Sequence, residues 1–271
     1  MVPEADITVT VAHLCKQEEE ERCYQEYKES DYILAQRVSD DYFVEFLRSS
    51  RLREEFPHKV LLWPNIFFRG QCPDLCHLSL PDQGRVLGPL GIYQNRLVFE
   101  AWRESKPVSV VRRMLTTGGD WLETLEKSAM LSLAELKERE SECDVTISPV
   151  IEEHWLTRRL FFTFNHPSRW LLEKAACRLL RHIDRAPRKN LPPHTGPEPL
   201  DRIIPALLPV VAKQLGLQLP AGTTYKGCAI EQESQATAGN RVVYYQLDDF
   251  IETSYRALDK QLTPDTTVRV S

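Results

Sequence analysis

An amide and an imidazole stand side by side at Asn165 and His166, after the apolar aromatic run 160–164 and before a stretch with helical spacing. An imidazole titrates near neutral pH, so His166 could act as a general base that removes a proton from a hydroxyl nucleophile. The Asn165 amide could orient a substrate or donate a hydrogen bond to a developing oxyanion. An ordinary turn explains the same residues, because Pro167 restricts His166 to extended backbone and Ser168 could cap the following helix. The sequence therefore leaves a catalytic and a structural interpretation open.

Polar clusters also follow two other apolar runs, so that residues 36–42, 69–77 and 165–168 each come after a predicted strand. In an open parallel sheet, ligands bind beyond the carboxyl ends of the strands, where helix N-termini also present unpaired N–H groups. If the three strands share one such sheet, these clusters face one another. The pattern thus predicts a ligand site at one edge of the sheet.

Side-chain chemistry suggests further roles within these clusters. Asp74 or Asp41 could fix the tautomer of His166, and Arg69 could bind a phosphate group. Cys72 is a candidate nucleophile if His166 lies close to it. Asp41 and its neighbours also suit a helix N-terminus, where carboxylates complement the helix dipole.

Two thiols and an imidazole lie close together at Cys72, Cys76 and His77, which raises the question of a metal site. A structural zinc site normally needs a second ligand pair at regular spacing, and the sequence has no other Cys/His cluster, so we predict no metal. The sequence also lacks G-x-S-x-G, P-loop and G-x-G-x-x-G motifs. Their absence argues against a serine hydrolase, an NTPase or a classical dinucleotide-binding protein.

The apolar pattern predicts an α/β fold with a mostly parallel open sheet flanked by helices. The predicted strands are 6–14, 31–35, 59–63 and 160–164, and the predicted helices are 16–30, 40–56, 91–105, 118–140 and 168–183. We expect an α/β domain at 1–185 that carries the site, and a proline-rich linker or loop at 186–200. A predominantly helical extension at 201–271 should pack on the first part, with helices in 203–216 and 242–262.

Composition argues against several classes of protein. At 271 residues and 42% hydrophobic content, the chain can bury a sizeable core. Its net charge of −5 and pI near 5.9 argue against a phosphate-tracking surface, so we expect no nucleic-acid partner. The first ten residues do not resemble a secretory signal, no apolar run reaches membrane-span length, and seven irregularly spaced cysteines do not fit a disulfide framework. We therefore expect a cytoplasmic protein without a membrane span.

Four segments resemble the WcbI family of capsular polysaccharide biosynthesis proteins in order and spacing: "AQRVSDDY", "LLWPNIFFRGQCPDLCHL", "LGPLGIYQNRLVFEAW" and "FTFNHPSRWLL". The similarity spans roughly residues 10 to 185. Members of that family are regarded as coenzyme A-binding acetyltransferases that modify a capsule sugar. The resemblance implies acyl transfer from acetyl-CoA, the co-substrate, to a saccharide hydroxyl.

Residues of these segments are the candidates for that reaction. The predicted catalytic residues are His166, Asn165, Asp74 and Cys72. The predicted coenzyme A-binding residues are Arg69, Gly70, Gln36, Tyr42 and Tyr93.

The chain departs from the family pattern in two places. Family members begin with a strand that leads into a Gly-Asn-Cys-Gln-like turn, and no such tetrapeptide occurs in this chain, so we expect it to lack that strand and its cysteine. Cys72 stands where relatives tend to have a histidine, and His77 where an aromatic residue is common. Two other functions therefore stay open: a carbohydrate esterase or deacetylase, and an inactive relative that binds coenzyme A or a sugar.

Overall fold

The computed structural model describes residues 6–81, 84–183, 196–230 and 238–271. The α-helices are α1 (Glu20–Glu29), α2 (Ser49–Glu55), α3 (Arg96–Arg103), α4 (Val108–Thr117), α5 (Trp121–Glu140), α6 (Ser148–His154), α7 (Arg169–His182), α8 (Pro209–Leu215) and α9 (Leu247–Gln261). The strands are β1 (Ile33–Gln36), β2 (Val60–Trp63), β3 (Leu75–Leu80), β4 (Gly84–Arg85), β5 (Tyr93–Asn95), β6 (Tyr225–Ile230), β7 (Ala238–Tyr245) and β8 (Arg269–Val270). Within these ranges, no helix combines the length and the apolarity that crossing a membrane requires.

The chain divides into two compact units, each built from segments that are not consecutive in the sequence. The first unit draws its described residues from Met1–Asn65, Glu138–Ile147 and Ala175–Asn190. The second unit draws its described residues from Ile66–Lys137, Ser148–Lys174 and Leu191–Ser271.

The first unit contains a two-stranded parallel sheet, in which Ile33 of β1 pairs with Val60 of β2. Val60 and Leu62 point to the same side of β2, because side chains alternate along a strand, and both are buried. They pack with Leu52 of α2 and with Phe56 in one apolar cluster. This sheet places Gln36 at the end of β1.

The second unit contains an antiparallel sheet in the order β4-β3-β5, and β8 also pairs with β3. The register places His77 opposite Tyr93, and Leu75 opposite Asn95. β6 and β7 form a separate antiparallel hairpin, and the ring of Tyr225 in β6 stacks on Phe250 of α9 with centroids 3.8 Å apart. The main core of the unit joins residues of β3, β5, α3, α4, α8, α9 and the hairpin.

The predicted mixture of helices and strands is confirmed, but the described residues do not form one mostly parallel open sheet. Among the described strands, parallel pairing is confined to β1 and β2, whereas β3, β4, β5 and β8 pair antiparallel. The predicted strand 160–164 is absent, so the third strand of the expected sheet is missing. Short apolar runs cannot distinguish a strand from a buried loop, which explains the error.

Several element predictions are confirmed, among them the strands at 31–35 and 59–63 and the helices α1, α5 and α7. Others are wrong. Residues 6–11 form no strand, the helix predicted at 91–105 begins only after β5, and the helix predicted at 242–262 begins only after β7. The C-terminal part therefore contains the β6–β7 hairpin as well as helices. Residues 184–195, which include most of the predicted linker, lie outside the described residues.

Candidate active site

Residues 160–168 form a closed loop that carries Asn165 and His166 at its turn. The loop closes where the Ser168 N–H donates to the Leu160 carbonyl at 2.8 Å. Inside it, the Phe162 N–H donates to the His166 carbonyl at 2.9 Å, and the His166 N–H donates to the Thr163 carbonyl at 3.1 Å. These bonds satisfy buried backbone groups that a strand would have paired with a neighbouring strand. The 160–168 loop therefore replaces the predicted strand.

The side chain of Gln71 holds the start of this loop. Its Oε1 accepts from the N–H groups of Leu160 at 2.8 Å and Phe161 at 3.0 Å, and its Nε2 donates to the carbonyls of Trp155 and Arg158 at 2.6 Å. Gln71 is buried, so these four bonds use the hydrogen-bonding capacity of an amide that has no access to water. Gln71 is not among the predicted site residues, because a single glutamine carries no recognisable spacing.

Tyr93, Asn165 and His166 form one hydrogen-bonded group, which we call the Tyr93–Asn165–His166 group. The Tyr93 hydroxyl donates to Asn165 Oδ1 at 2.7 Å and lies 3.3 Å from His166 Nε2. Thr163 Oγ1 also donates to Asn165 Oδ1, at 3.0 Å. Two hydroxyls thus hold the oxygen of the exposed Asn165 side chain, which leaves its Nδ2 amide hydrogens free to donate to a ligand.

The same contacts define the tautomer of His166. A hydroxyl has one proton, and that of Tyr93 is donated to Asn165, so the Nε2–H of His166 must donate to the Tyr93 oxygen. The ring lone pair is then on Nδ1, which is buried and has no hydrogen-bond partner among the described residues. Burial lowers the pKa of His166 below its ordinary value, because a low-dielectric environment disfavours the imidazolium. His166 is therefore a neutral imidazole with an unused basic nitrogen at neutral pH.

Aromatic rings surround Tyr93, and a cation lies over one of those rings. The rings of His77 and Phe164 lie 4.9 Å and 5.2 Å from that of Tyr93, measured between centroids. The Arg69 guanidinium lies 4.8 Å from the Phe164 ring centroid, and its Nη1 donates to the Leu75 carbonyl at 3.0 Å. Burial, followed by the charges of neighbouring arginines, lowers the pKa of His77 to about 4, so this imidazole is also neutral.

Asp74 lies in the same unit, but its side chain hydrogen-bonds Asn95 and not His166. Its Oδ2 accepts from Asn95 Nδ2 at 2.7 Å, and Asn95 Oδ1 in turn accepts from the Val98 N–H at the start of α3. In the part of the chain that the structure describes, no carboxylate hydrogen-bonds His166. Tyr93 instead makes the contact that fixes the tautomer of His166, a role predicted for Asp74 or Asp41. Burial raises the pKa of Asp74 to about 6.

Cys72 and Gly70 contribute to packing in this structure. Cys72 is buried in the main core, and burial raises the pKa of its thiol far above the usual range, which disfavours the nucleophilic thiolate. A Cβ on Gly70 would lie 2.1 Å from Cζ of Phe68, a fully buried ring. The glycine is therefore required by the close approach of that ring, which accounts for it without a ligand.

Gln36 and Tyr42 belong to the first unit, whereas the Tyr93–Asn165–His166 group and Arg69 belong to the second. The Tyr42 hydroxyl donates to the Ala12 carbonyl at 3.1 Å, and Gln36 pairs with Trp63 in the parallel sheet. Asp41 accepts a hydrogen bond from Ser39, as expected for a polar turn. Of the nine predicted site residues, the structure brings His166, Asn165 and Tyr93 into direct contact.

Both interpretations of the Asn-His-Pro-Ser turn are compatible with this geometry. Ser168 Oγ accepts from the Leu171 N–H at 3.4 Å in the first turn of α7, as the capping interpretation requires. Thr163 was missed by the sequence analysis, although it lies within the quoted aromatic run. The 160–168 loop places the Thr163 hydroxyl against Asn165. Residue types and spacing alone do not predict this contact.

Most of the chain matches a known protein family. Residues 3–188 match a family described as "Polysaccharide biosynthesis enzyme WcbI". The chain is thus related to enzymes of polysaccharide biosynthesis. It belongs to the WcbI family, which confirms the resemblance seen in its four segments. No curated protein matches the chain significantly.

A solved structure of WcbI, described as a novel polysaccharide biosynthesis enzyme, has a similar fold. Its TM-score is 0.72 at 19% sequence identity, over 94% of this chain and 80% of that chain. That structure is described as the native protein without a disulfide bond between coenzyme A and one of its cysteines. At this identity the likeness establishes the fold alone.

Proposed function

We propose that this protein is an acyl-CoA-dependent O-acetyltransferase that acts on a saccharide hydroxyl in the biosynthesis of a surface polysaccharide. The observation that carries the proposal is the Tyr93–Asn165–His166 group, which holds an unused basic nitrogen and an unused amide donor on the same loop. Membership of the WcbI family supports polysaccharide biosynthesis as the setting.

The residues of the group have complementary roles in this reaction. His166 Nδ1 accepts the proton of the saccharide hydroxyl as its oxygen bonds to the acyl carbon. Because Nδ1 is buried in the unliganded structure, acceptor binding must first uncover this nitrogen. Asn165 Nδ2 donates to the carbonyl oxygen, which gains negative charge in the transition state. His166 then returns the proton to the sulfur as the carbon–sulfur bond breaks. Tyr93 keeps His166 in the tautomer that presents Nδ1.

Arg69 is the residue best suited to a phosphate of coenzyme A. Its guanidinium forms no ion pair with a carboxylate of the described ranges, and its one hydrogen bond to protein uses Nη1. The remaining N–H groups can therefore donate to phosphate oxygens. Bound acetyl-CoA would supply the acyl group as a reactive thioester. The connection of the related WcbI structure with coenzyme A supports this choice of donor.

Direct titration tests the donor assignment. Calorimetry with coenzyme A and acetyl-CoA should show binding, whereas ATP should bind much more weakly. Arg69→Gln should weaken coenzyme A binding about tenfold or more, as expected for the loss of charge-assisted hydrogen bonds. Arg103→Gln is the matched control, because Arg103 also lies over a phenylalanine ring, that of Phe99, in the same unit. Equal affinity for ATP, or no binding of coenzyme A, would contradict the proposal.

Removal of the Tyr93 hydroxyl tests the tautomer. Tyr93→Phe should lower the turnover number for acetyl transfer about tenfold with little change in KM for acetyl-CoA, because it removes one hydrogen bond that orients the base. Steady-state kinetics would measure both constants. Tyr255→Phe is the control, since it deletes a hydroxyl that donates to the Lys106 carbonyl at 2.9 Å in the same unit. Equal losses in the two variants would show that Tyr93 has only a structural role.

A further inference from the structure

A second polar surface surrounds Trp170 in the first turn of α7. The Arg158 guanidinium lies 4.6 Å from the Trp170 ring centroid, and the Lys174 ammonium lies 5.0 Å from it. The His154 ring meets Trp170 edge-on, with centroids 4.9 Å apart. We call Arg158, Trp170, Lys174 and His154 the Trp170 surface. All four belong to the second unit.

The two cations of the Trp170 surface are exposed and lack acidic partners. Neither Arg158 nor Lys174 forms an ion pair with a carboxylate in the described part of the chain, and an aromatic ring holds each in place. Two carboxylates beside neighbouring residues have other contacts: Glu153 lies 3.6 Å from His154 Nε2, and Glu198 accepts from the Arg169 N–H. Positioned cations that have no internal partner are suited to an external anion.

The Trp170 surface lies at the base of the loop whose turn carries the proposed catalytic group. Leu160 and Ser168 close the 160–168 loop through a 2.8 Å hydrogen bond, and Arg158 and Trp170 are each two residues outside that closure. Gln71 also fixes the Arg158 carbonyl at 2.6 Å. The five residue steps from Asn165 to Trp170 span at most about 17–18 Å when fully extended, so a short oligosaccharide could contact both the surface and the group.

We propose that the Trp170 surface binds an acidic segment of the saccharide acceptor. Arg158 and Lys174 contact carboxylate or phosphate groups of the saccharide, and Trp170 keeps the two cations in position. The inference rests on the proposed function, because it assumes that the acceptor is a saccharide. It adds that the acceptor is anionic, and that a surface apart from the catalytic group selects it.

Binding of matched oligosaccharides tests this inference on the full chain. The probe is an oligogalacturonate, and the comparison is the same oligomer with its carboxylates converted to methyl esters. Calorimetry at low ionic strength should show the acidic probe binding about tenfold or more tightly, with the difference shrinking as salt is added. Arg158→Gln combined with Lys174→Gln should weaken acidic-probe binding about tenfold. Lys213→Gln combined with Lys260→Gln makes the same charge change at exposed positions and should alter binding less than about twofold.

Each contrary result overturns the inference. Equal binding of the two oligomers, or equal losses in the two double variants, would show no acidic-saccharide site at Trp170. Tighter binding of a short oligopyrimidine with the same sensitivity to the Arg158 and Lys174 changes would make the surface a nucleic-acid site. Acetyl transfer to a small neutral sugar tests the proposed function separately. Transfer without acidic-probe binding would reject the inference and keep the proposed function.

Discussion

Replacing His166 with glutamine is expected to lower acetyl transfer by about 10²- to 10⁴-fold, the usual contribution of a general base. Glutamine can keep a donor toward Tyr93, but its amide cannot accept and return a proton at neutral pH. The turnover number should fall, while affinity for coenzyme A should stay close to that of the parent protein. Steady-state kinetics and calorimetric titration measure these two quantities.

The pH profile gives an independent check on His166. Burial lowers the pKa of His166, so its basic form should persist at pH values below the ordinary imidazole range. We therefore expect transfer activity to decline only below about pH 6.5, and the remaining activity of His166→Gln to lack this decline.

Stability and a matched control separate the two interpretations of His166. His58→Gln changes an exposed histidine of the first unit and should leave both activity and stability nearly unchanged. His166→Gln should change the free energy of unfolding by no more than about 1 kcal/mol. A much larger loss of stability, with activity falling in proportion to the unfolded fraction, would favour the interpretation of His166 as a turn residue.

Replacing Asp74 with asparagine is expected to change the pH dependence of stability. Burial raises the pKa of Asp74 from 3.8 to about 6, because the folded environment disfavours the carboxylate. As pH rises from about 4 to 6, the unfolded chain releases this proton before the folded chain does, so the Asp74 contribution becomes unfavourable to folding. The full effect is up to about 3 kcal/mol, at 1.36 kcal/mol for each tenfold change in the proton's dissociation constant.

Urea unfolding at several pH values measures this effect. Asp74→Asn removes the titration and can still accept from Asn95, so its stability relative to the parent protein should rise by up to about 3 kcal/mol between pH 4 and pH 7. Asp265→Asn, at an exposed position, should show no comparable pH-dependent difference. A relative stability of Asp74→Asn that stays constant or falls over this range would mean that the Asp74 carboxylate is stabilised in the folded protein.

Local sequence patterns were reliable where one element buries its own apolar face. The helix α5 follows from apolar residues repeated every three or four positions, and β1 and β2 follow from short apolar runs between polar turns. The pattern failed at 160–164, where an equally apolar run forms a loop whose first backbone groups bond to Gln71. A side chain 89 residues away in the sequence decides the structure there.

The family, the mixture of helices and strands, and the adjacent imidazole and amide at 165–166 follow from the amino-acid sequence, because these depend on residue types and local spacing. The residues that contact this pair are set by the folded structure. It placed Tyr93, from β5, against Asn165 and His166, directed Asp74 to Asn95, and assigned Gln36 and Tyr42 to the other unit. The physical reason is that hydrogen bonds, burial and the resulting pKa shifts depend on distances between remote residues, and chain order alone does not fix those distances.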